Sequence, residues 1–253
     1  MTAIVMVHGA FCGGWAFERF GAPFEAAGFE VLTPDLRGHG ARDDLNAVSG
    51  VSMSDYAADI ARLCAGLDAP PVLLGHSMGG LVAQLAARRA ALAGLVLLAP
   101  SPPWGVAHSS LEEAATAFGV QMLSAFSSGA LTPDRGLMRT YSLDRMPADE
   151  REAAVARLRP ESAQAVRETL NWWLDPFMTT SVGPGPMSAP TLVVSGERDV
   201  VHSTATARAT AERLGASFRP MPGMSHWLMG EPGWEAVADL TLAWLTAEVC
   251  IPA

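Results

Sequence analysis

The 253-residue chain carries 17 basic against 26 acidic side chains, a formal net charge of −9, so neither nucleic acid nor an anionic membrane surface is expected as its main partner. With 49% apolar and 17% charged residues it has the composition of an ordinary globular protein, long enough for one large α/β domain with an inserted subdomain. All 17 basic residues are arginine, which excludes a lysine Schiff base or a lysine general base.

Strand-like and helix-like runs alternate from the start. Residues 4–7 form a short buried run, 17–27 read as a helix and 29–33 as a strand. A helix is expected over 55–67, where Tyr56, Ile60, Leu63 and Leu67 recur at helical spacing. Residues 71–75 read as a buried strand, 78–90 as a helix and 95–98 as a strand. The pattern resumes with a strand at 191–194, a helix over 203–214, a strand at 217–221 and a last helix over 234–248. Such alternation predicts an α/β fold with a mainly parallel sheet covered on both faces.

Residues 101–187 interrupt the alternation. They open on Pro100-Ser101-Pro102-Pro103-Trp104 and close on Gly183-Pro184-Gly185-Pro186. Between these segments the sequence reads as helical: an apolar stripe of Leu111, Ala115, Phe118, Met122 and Phe126, then helices over 151–158 and 162–174, with no strand signal. The expected organisation is a core of 1–100 and 188–253 with a helical cap over 101–187.

Cys12, Cys64 and Cys250 are odd in number and lack metal-ligand spacing, which implies reduced thiols and a cytoplasmic setting. The apolar run at 3–7 ends at His8 and no basic stretch precedes it, so no signal peptide is expected. No apolar stretch approaches the roughly 20 residues of a membrane span.

The chemistry centres on Gly75-His76-Ser77-Met78-Gly79-Gly80, a G-x-S-x-G placed between a strand and a helix. That context describes a nucleophile elbow, in which a serine occupies a strained turn above the sheet. A serine hydroxyl needs a base, and the base an orienting carboxylate. Asp199 and His226 follow the next two strand-like runs, so a parallel sheet carries all three to one edge in the order Ser, Asp, His. Glu197 and Asp175 are rivals for the acid; His8, His39, His76, His108 and His202 are rivals for the base. His8, His39 and His76 read as structural, His108 and His202 as solvated or locally bonded. No histidine pair has metal-ligand spacing, so no metal is expected. The N–H of Met78 is placed to hold an oxyanion, and a second donor is expected from the loop 8–14.

The chain resembles the α/β-hydrolase superfamily over nearly its whole length. The matching features are His8-Gly9, Asp35-Leu36-Arg37-Gly38-His39-Gly40, Gly75 to Gly80, Gly196-Glu197-Arg198-Asp199 and Gly223 to His226. The opening His8 to Gly14, followed by Trp15, is most similar to the esterase branch that includes plant methyl-ketone and methyl-salicylate esterases. That resemblance assigns the second oxyanion donor to Ala10. It implies a cofactor-free serine hydrolase acting on a small-molecule ester with an apolar acyl or aromatic group. Acyl transfer and carbon–carbon cleavage would use the same three residues, and a non-catalytic ligand-binding protein on this fold is a further alternative. A hydroxynitrile lyase would carry Lys after the histidine, where this chain has Trp227. Phe11, Trp104 and Trp173 are candidate substrate contacts, with Trp172, Phe177 and the methionines Met122, Met138, Met146 and Met178 as further candidates. Lid or core packing accounts for the same side chains.

Overall fold

A computed structural model describes residues 2–107, 112–113, 121, 124, 127 and 129–249. The described strands are β1 (Ala3–Val7), β2 (Glu30–Leu32), β3 (Val72–His76), β4 (Gly94–Leu98), β5 (Ala130–Leu131), β6 (Glu161–Ser162), β7 (Thr191–Gly196) and β8 (Ser217–Met221). The principal helices are α1 (Glu18–Ala26), α2 (Met53–Ala65), α3 (Met78–Ala86), α4 (Ala148–Arg157), α5 (Ala163–Leu170), α6 (Thr204–Leu214) and α7 (Trp234–Glu248). Six strands make one parallel sheet in the order β2-β1-β3-β4-β7-β8.

The central strands are buried on both sides, and alternate residues face opposite layers. Ile4 and Met6, Val72 and Leu74, Val96 and Leu98, and Leu192 and Val194 face a layer containing Phe20 and Phe24 of α1 and Trp244 and Leu245 of α7. Val5 and Val7, Leu73, Leu95 and Leu97, and Val193 face the other layer, with Tyr56 and Ile60 of α2, Leu81 of α3 and Leu214 of α6. The edge strands are shorter or more polar, and β8 includes Pro220, whose missing N–H an edge strand tolerates.

Several expected boundaries move for local reasons. α2 starts at Met53, two residues before the expected position, because Ser52 and Asp55 form a capping box: each side chain accepts the other's backbone N–H. α3 ends at Ala86, four residues before the expected end. The expected helix over 162–174 divides at Asn171 (φ −110°, ψ 36°) into α5 and a short 3₁₀ turn Trp172–Leu174. The expected absence of strands between β4 and β7 does not hold. β5 and β6 pair antiparallel through Ala130 with Ser162 and Leu131 with Glu161, a ladder too short to leave a periodic signal. A helical turn Arg135–Leu137 runs into a π-helical turn Met138–Ser142, and α4 starts at Ala148, three residues before the expected position. The stripe expected at Leu111, Ala115, Phe118, Met122 and Phe126 lies outside the described residues, as do His108 and Cys250.

The tightest packing lies where α3 crosses the sheet. A Cβ on Gly79 would overlap the carbonyl oxygens of His8 and Val7, and one on Gly75 would overlap the Gly79 carbonyl. Neighbouring backbone cannot give way as a flexible side chain can. Gly79→Ala is therefore expected to lose at least about 3 kcal/mol of stability, or to fail to accumulate as soluble protein. Urea denaturation beside the wild type measures it.

Candidate active site

Ser77 joins the end of β3 to the start of α3 with φ 53° and ψ −124°, a left-handed conformation that a non-glycine residue adopts only when held there. The hold is visible. The Ser77 N–H donates to the Leu98 carbonyl at 3.0 Å, and its own carbonyl accepts the N–H groups of Gly80 (2.8 Å) and Ser101 (2.9 Å).

His226 and Asp199 arrive from the loops after β8 and β7. His226 Nε2 lies 3.1 Å from Ser77 Oγ, and its Nδ1 lies 2.9 Å from Asp199 Oδ2. The carboxylate accepts from Nδ1–H, which leaves Nε2 free to accept the serine proton. Asp199 is itself fixed, since its Oδ1 accepts the N–H groups of Val201 (2.8 Å) and His202 (2.9 Å). The rival acids are elsewhere: Glu197 is exposed, and Asp175 accepts from the N–H groups of Phe177 and Thr179 within its own turn.

Of the other described histidines, His76 and His202 pack against the His226 ring, with centroids 4.9 and 5.4 Å from it. His76 donates from Nε2 to the His226 carbonyl at 3.0 Å, and burial holds its pKa well below the usual 6.5. His8 donates from Nδ1 to the Gly9 carbonyl and accepts the Leu36 N–H at Nε2, both at 2.9 Å. Burial, with His39 adding, lowers its pKa to about 4. His202 differs from the sequence expectation. It is 3% exposed, its Nε2 lies 2.9 Å from Ser101 Oγ, and it lines the cavity beside Ser77. His39 is the exception in charge: burial opposes protonation, but the Glu161 carboxylate 3.0 Å away raises its pKa.

Ser77 opens into a cavity of about 130 Å³, comparable to the roughly 150 Å³ that admits benzene. Ala10, Phe11 and Met78 line it, together with Met138, Val166, Leu170 and Trp227, so apolar walls surround the Ser77 hydroxyl. Cys12 also lines it as a buried free thiol whose pKa burial raises, which keeps it protonated at neutral pH. Trp104 and Trp173 are not among the lining residues. Trp104 instead donates its indole N–H to the Trp172 carbonyl at 3.1 Å and packs edge-on against that ring. Trp173 is 54% exposed and Phe177 87%, with Met178 also turned outward, while Met146 packs against the core.

Among the buried carboxylates near the site that escaped the sequence reading are Glu231 and Glu161. Glu231 accepts the Ser225 N–H at 2.7 Å, next to His226, and Glu161 binds groups from distant segments. Glu231 had a local signal, an acid five residues after the histidine; Glu161 had none. Among the described residues no group of three or more His, Cys, Asp or Glu is arranged to hold a metal ion, and no helix is long and apolar enough to cross a membrane.

A serine at a strand–turn–helix elbow, with an acid and a histidine delivered from two later strand ends of a parallel sheet, defines an enzyme of the α/β-hydrolase type. The whole-chain comparison agrees. The model of the alpha/beta hydrolase family matches residues 4–240, and the chain belongs to that family. A pyrethroid hydrolase of Sphingobium wenxiniae is 36% identical over 80 residues, 32% of this chain and 28% of that protein. A carbendazim hydrolyzing esterase of Nocardioides sp. is 32% identical over 170 residues, 64% of this chain and 70% of that one. A solved thermophilic esterase from Thermogutta terrifontis superimposes with a TM-score of 0.72 at 25% identity, over 98% of this chain and 91% of its own.

Two outcomes follow from these positions. Burial, with Asp144 adding and Arg145 and His226 opposing, pushes the pKa of Glu231 up from 4.5 to about 7. Between those values the folded protein holds a proton that the unfolded chain releases, so stability is lost as pH rises through the interval. Glu231→Gln, always neutral, should gain on the wild type by up to about 3 kcal/mol between pH 4.5 and pH 8, read by urea denaturation at both. Trp173→Ala, outside the cavity, should leave kcat/KM on a p-nitrophenyl ester within about twofold.

Proposed function

We propose that the protein is a serine hydrolase that cleaves a carboxylic ester, or a close relative such as a thioester or lactone, through an acyl-enzyme. The observation that carries this reading is the unbroken chain from Ser77 Oγ to His226 to Asp199, at 3.1 and 2.9 Å, opening on an apolar cavity. The esterase and hydrolase names of the relatives support the same reaction class.

In this scheme His226 Nε2 takes the Ser77 proton as Oγ attacks the ester carbonyl. The carbonyl π electrons move onto oxygen, and the N–H groups of Ala10 and Met78 hold that oxyanion at the start of α3, where the helix field favours negative charge. Collapse breaks the bond to the leaving alkoxide, which takes the proton from His226 and departs as an alcohol. Water then enters, gives its proton to His226 and attacks the acyl-enzyme. Collapse of the second intermediate returns the proton to Ser77 and releases the acid. Asp199 holds the imidazole in orientation and stabilises its charged form. The scheme calls on no cofactor.

Residues 101–187 act as a cap: Met138, Val166 and Leu170 from this segment form one wall of the cavity and select the acyl or aromatic group. Cavity size favours a short acyl chain or a single ring. The free Cys12 and Cys64 thiols support a reducing, cytoplasmic setting.

Hydrolysis of p-nitrophenyl esters of increasing acyl length tests the reading. Turnover should fall as the chain outgrows the cavity. It should drop by roughly 10⁴-fold or more in Ser77→Ala, and on the order of 10³- to 10⁴-fold in Asp199→Asn. A Ser77→Ala variant with near-wild-type turnover would dismiss the mechanism.

A further inference from the structure

The walls of the cavity beside Ser77 are mainly apolar, yet Ser101 and His202 also line it. Ser101 is 2% exposed and stands next to Ser77: its N–H donates to the Ser77 carbonyl at 2.9 Å. Its own carbonyl accepts from Gln84 Nε2 at 3.2 Å, so both backbone groups are engaged within the protein. Its hydroxyl meets one partner among the described residues, His202 Nε2 at 2.9 Å. A hydroxyl has one proton and two lone pairs, so that single contact leaves hydrogen-bonding capacity at the cavity wall.

The surroundings of His202 decide which capacity is left. Burial lowers its pKa, so the ring is neutral at neutral pH and carries one N–H. Glu113 Oε1 lies 3.8 Å from His202 Nδ1, and Glu113 Oε2 accepts from Ser203 Oγ (2.9 Å) and Thr206 Oγ1 (2.8 Å). A fixed carboxylate attracts an N–H and repels a lone pair, so the ring proton belongs on Nδ1. Nε2 is then the acceptor, and the Ser101 hydroxyl donates to it. What Ser101 retains are lone pairs, which can only accept. The His202 ring packs against that of His226, centroids 5.4 Å apart, so this acceptor lies close to both Ser77 and His226.

We propose that Ser101 and His202 form a polar subsite that accepts a hydrogen bond from a substrate hydroxyl, which makes an ester with a hydroxyl near its reacting carbonyl the preferred class. The proposal rests on the reading of Ser77 as the nucleophile of an ester hydrolase. It adds no chemical step: the substrate hydroxyl exchanges a hydrogen bond to water for one to Ser101. An alkyl group in the same place would leave the Ser101 lone pairs buried against carbon. Discrimination therefore comes from the penalty on the wrong substrate as much as from the bond to the right one.

Ester pairs that exchange a hydroxyl for a methyl group test it, followed by acid release. They are methyl 2-hydroxybutyrate with methyl 2-methylbutyrate, methyl 3-hydroxybutyrate with methyl 3-methylbutyrate and, on the alcohol side, 2-hydroxyethyl butyrate with propyl butyrate. The readout is the ratio of kcat/KM within a pair, compared between wild type and variant, because intrinsic reactivity and any general loss of activity then cancel. Ser101→Ala alone bares His202 Nε2, itself an acceptor, so the double variant Ser101→Ala/His202→Leu is the direct test. For at least one pair its preference for the hydroxyl should be about 10-fold or more below that of the wild type. Should the double variant not fold, Ser101→Cys, similar in shape with a weak sulfur acceptor, should lower the same ratio at least about threefold. Methyl 3-oxobutyrate offers acceptors only, so its ratio to methyl 3-methylbutyrate should not change. Unchanged ratios for every hydroxyl pair, or an equal fall for the 3-oxo ester, overturn the proposal. So does a wild type that cleaves p-nitrophenyl acetate but none of the hydroxyl esters. Ser77→Ala, measured beside them, separates the two levels. If it is inactive while the ratios are unchanged, only the subsite fails; if it matches the wild type, the reading of Ser77 fails and the subsite with it.

Discussion

The direct contact between the backbone of α3 and the backbones of β1 and β3 sets the geometry around it. Gly79 lies against the carbonyls of Val7 and His8, and Gly75 lies against the carbonyl of Gly79, with no room for a side chain at either glycine. Because the helix starts this close to the strands, the connecting residue has to turn within one position, and Ser77 takes a left-handed conformation to do so. The same closeness brings the loop after β1 beside the serine. The loops after β7 and β8 need only lie at the same sheet edge to reach it, as parallel strands ensure.

Around that contact the protein buries imidazoles, each with a defined partner. His8 and His76 pass hydrogen bonds to backbone carbonyls, His202 meets the hydroxyl of Ser101, and burial lowers the pKa of all three. Neutral rings beside His226 leave its interaction with Asp199 uncontested by neighbouring positive charge. The buried ion pair of His39 and Glu161 lies behind the Phe11 turn, where the N–H groups of Phe11 and Ser162, the Tyr56 hydroxyl and the Arg37 carbonyl satisfy it.

The sheet and the positions of Ser77, Asp199 and His226 were readable because each is written locally: alternating apolar runs for the strands, and short glycine-containing loops at their ends. What escaped was set by distance. β5 and β6 have two residues each and pair across 30 and 32 positions, so neither run is long enough to show a period. Glu161 meets His39 across 122 positions and Phe11 across 150, and no pattern near Glu161 announces either partner. The tryptophans misled for a related reason. Trp104 and Trp173 sit at helix and loop ends where aromatic residues often line pockets, yet Trp104 satisfies its indole on Trp172 and Trp173 faces outward. Composition alone cannot tell an aromatic wall from an aromatic clasp.

The segment between β4 and β7 is bound to the rest of the chain by more than its covalent ends. Ser162 Oγ bonds to the Val51 carbonyl, Glu168 accepts the Met53 N–H at the start of α2, and Glu161 and Arg159 grip Phe11. It is therefore not an interchangeable module. Grafting the corresponding segment of a relative onto this core, to borrow its pocket, would bring a new lining and discard the groups that hold the loop after β1. A transplant that keeps residues 159–162 and exchanges only the pocket-facing turns would respect the boundary that the hydrogen bonds draw, which differs from the one suggested by the order of strands and helices.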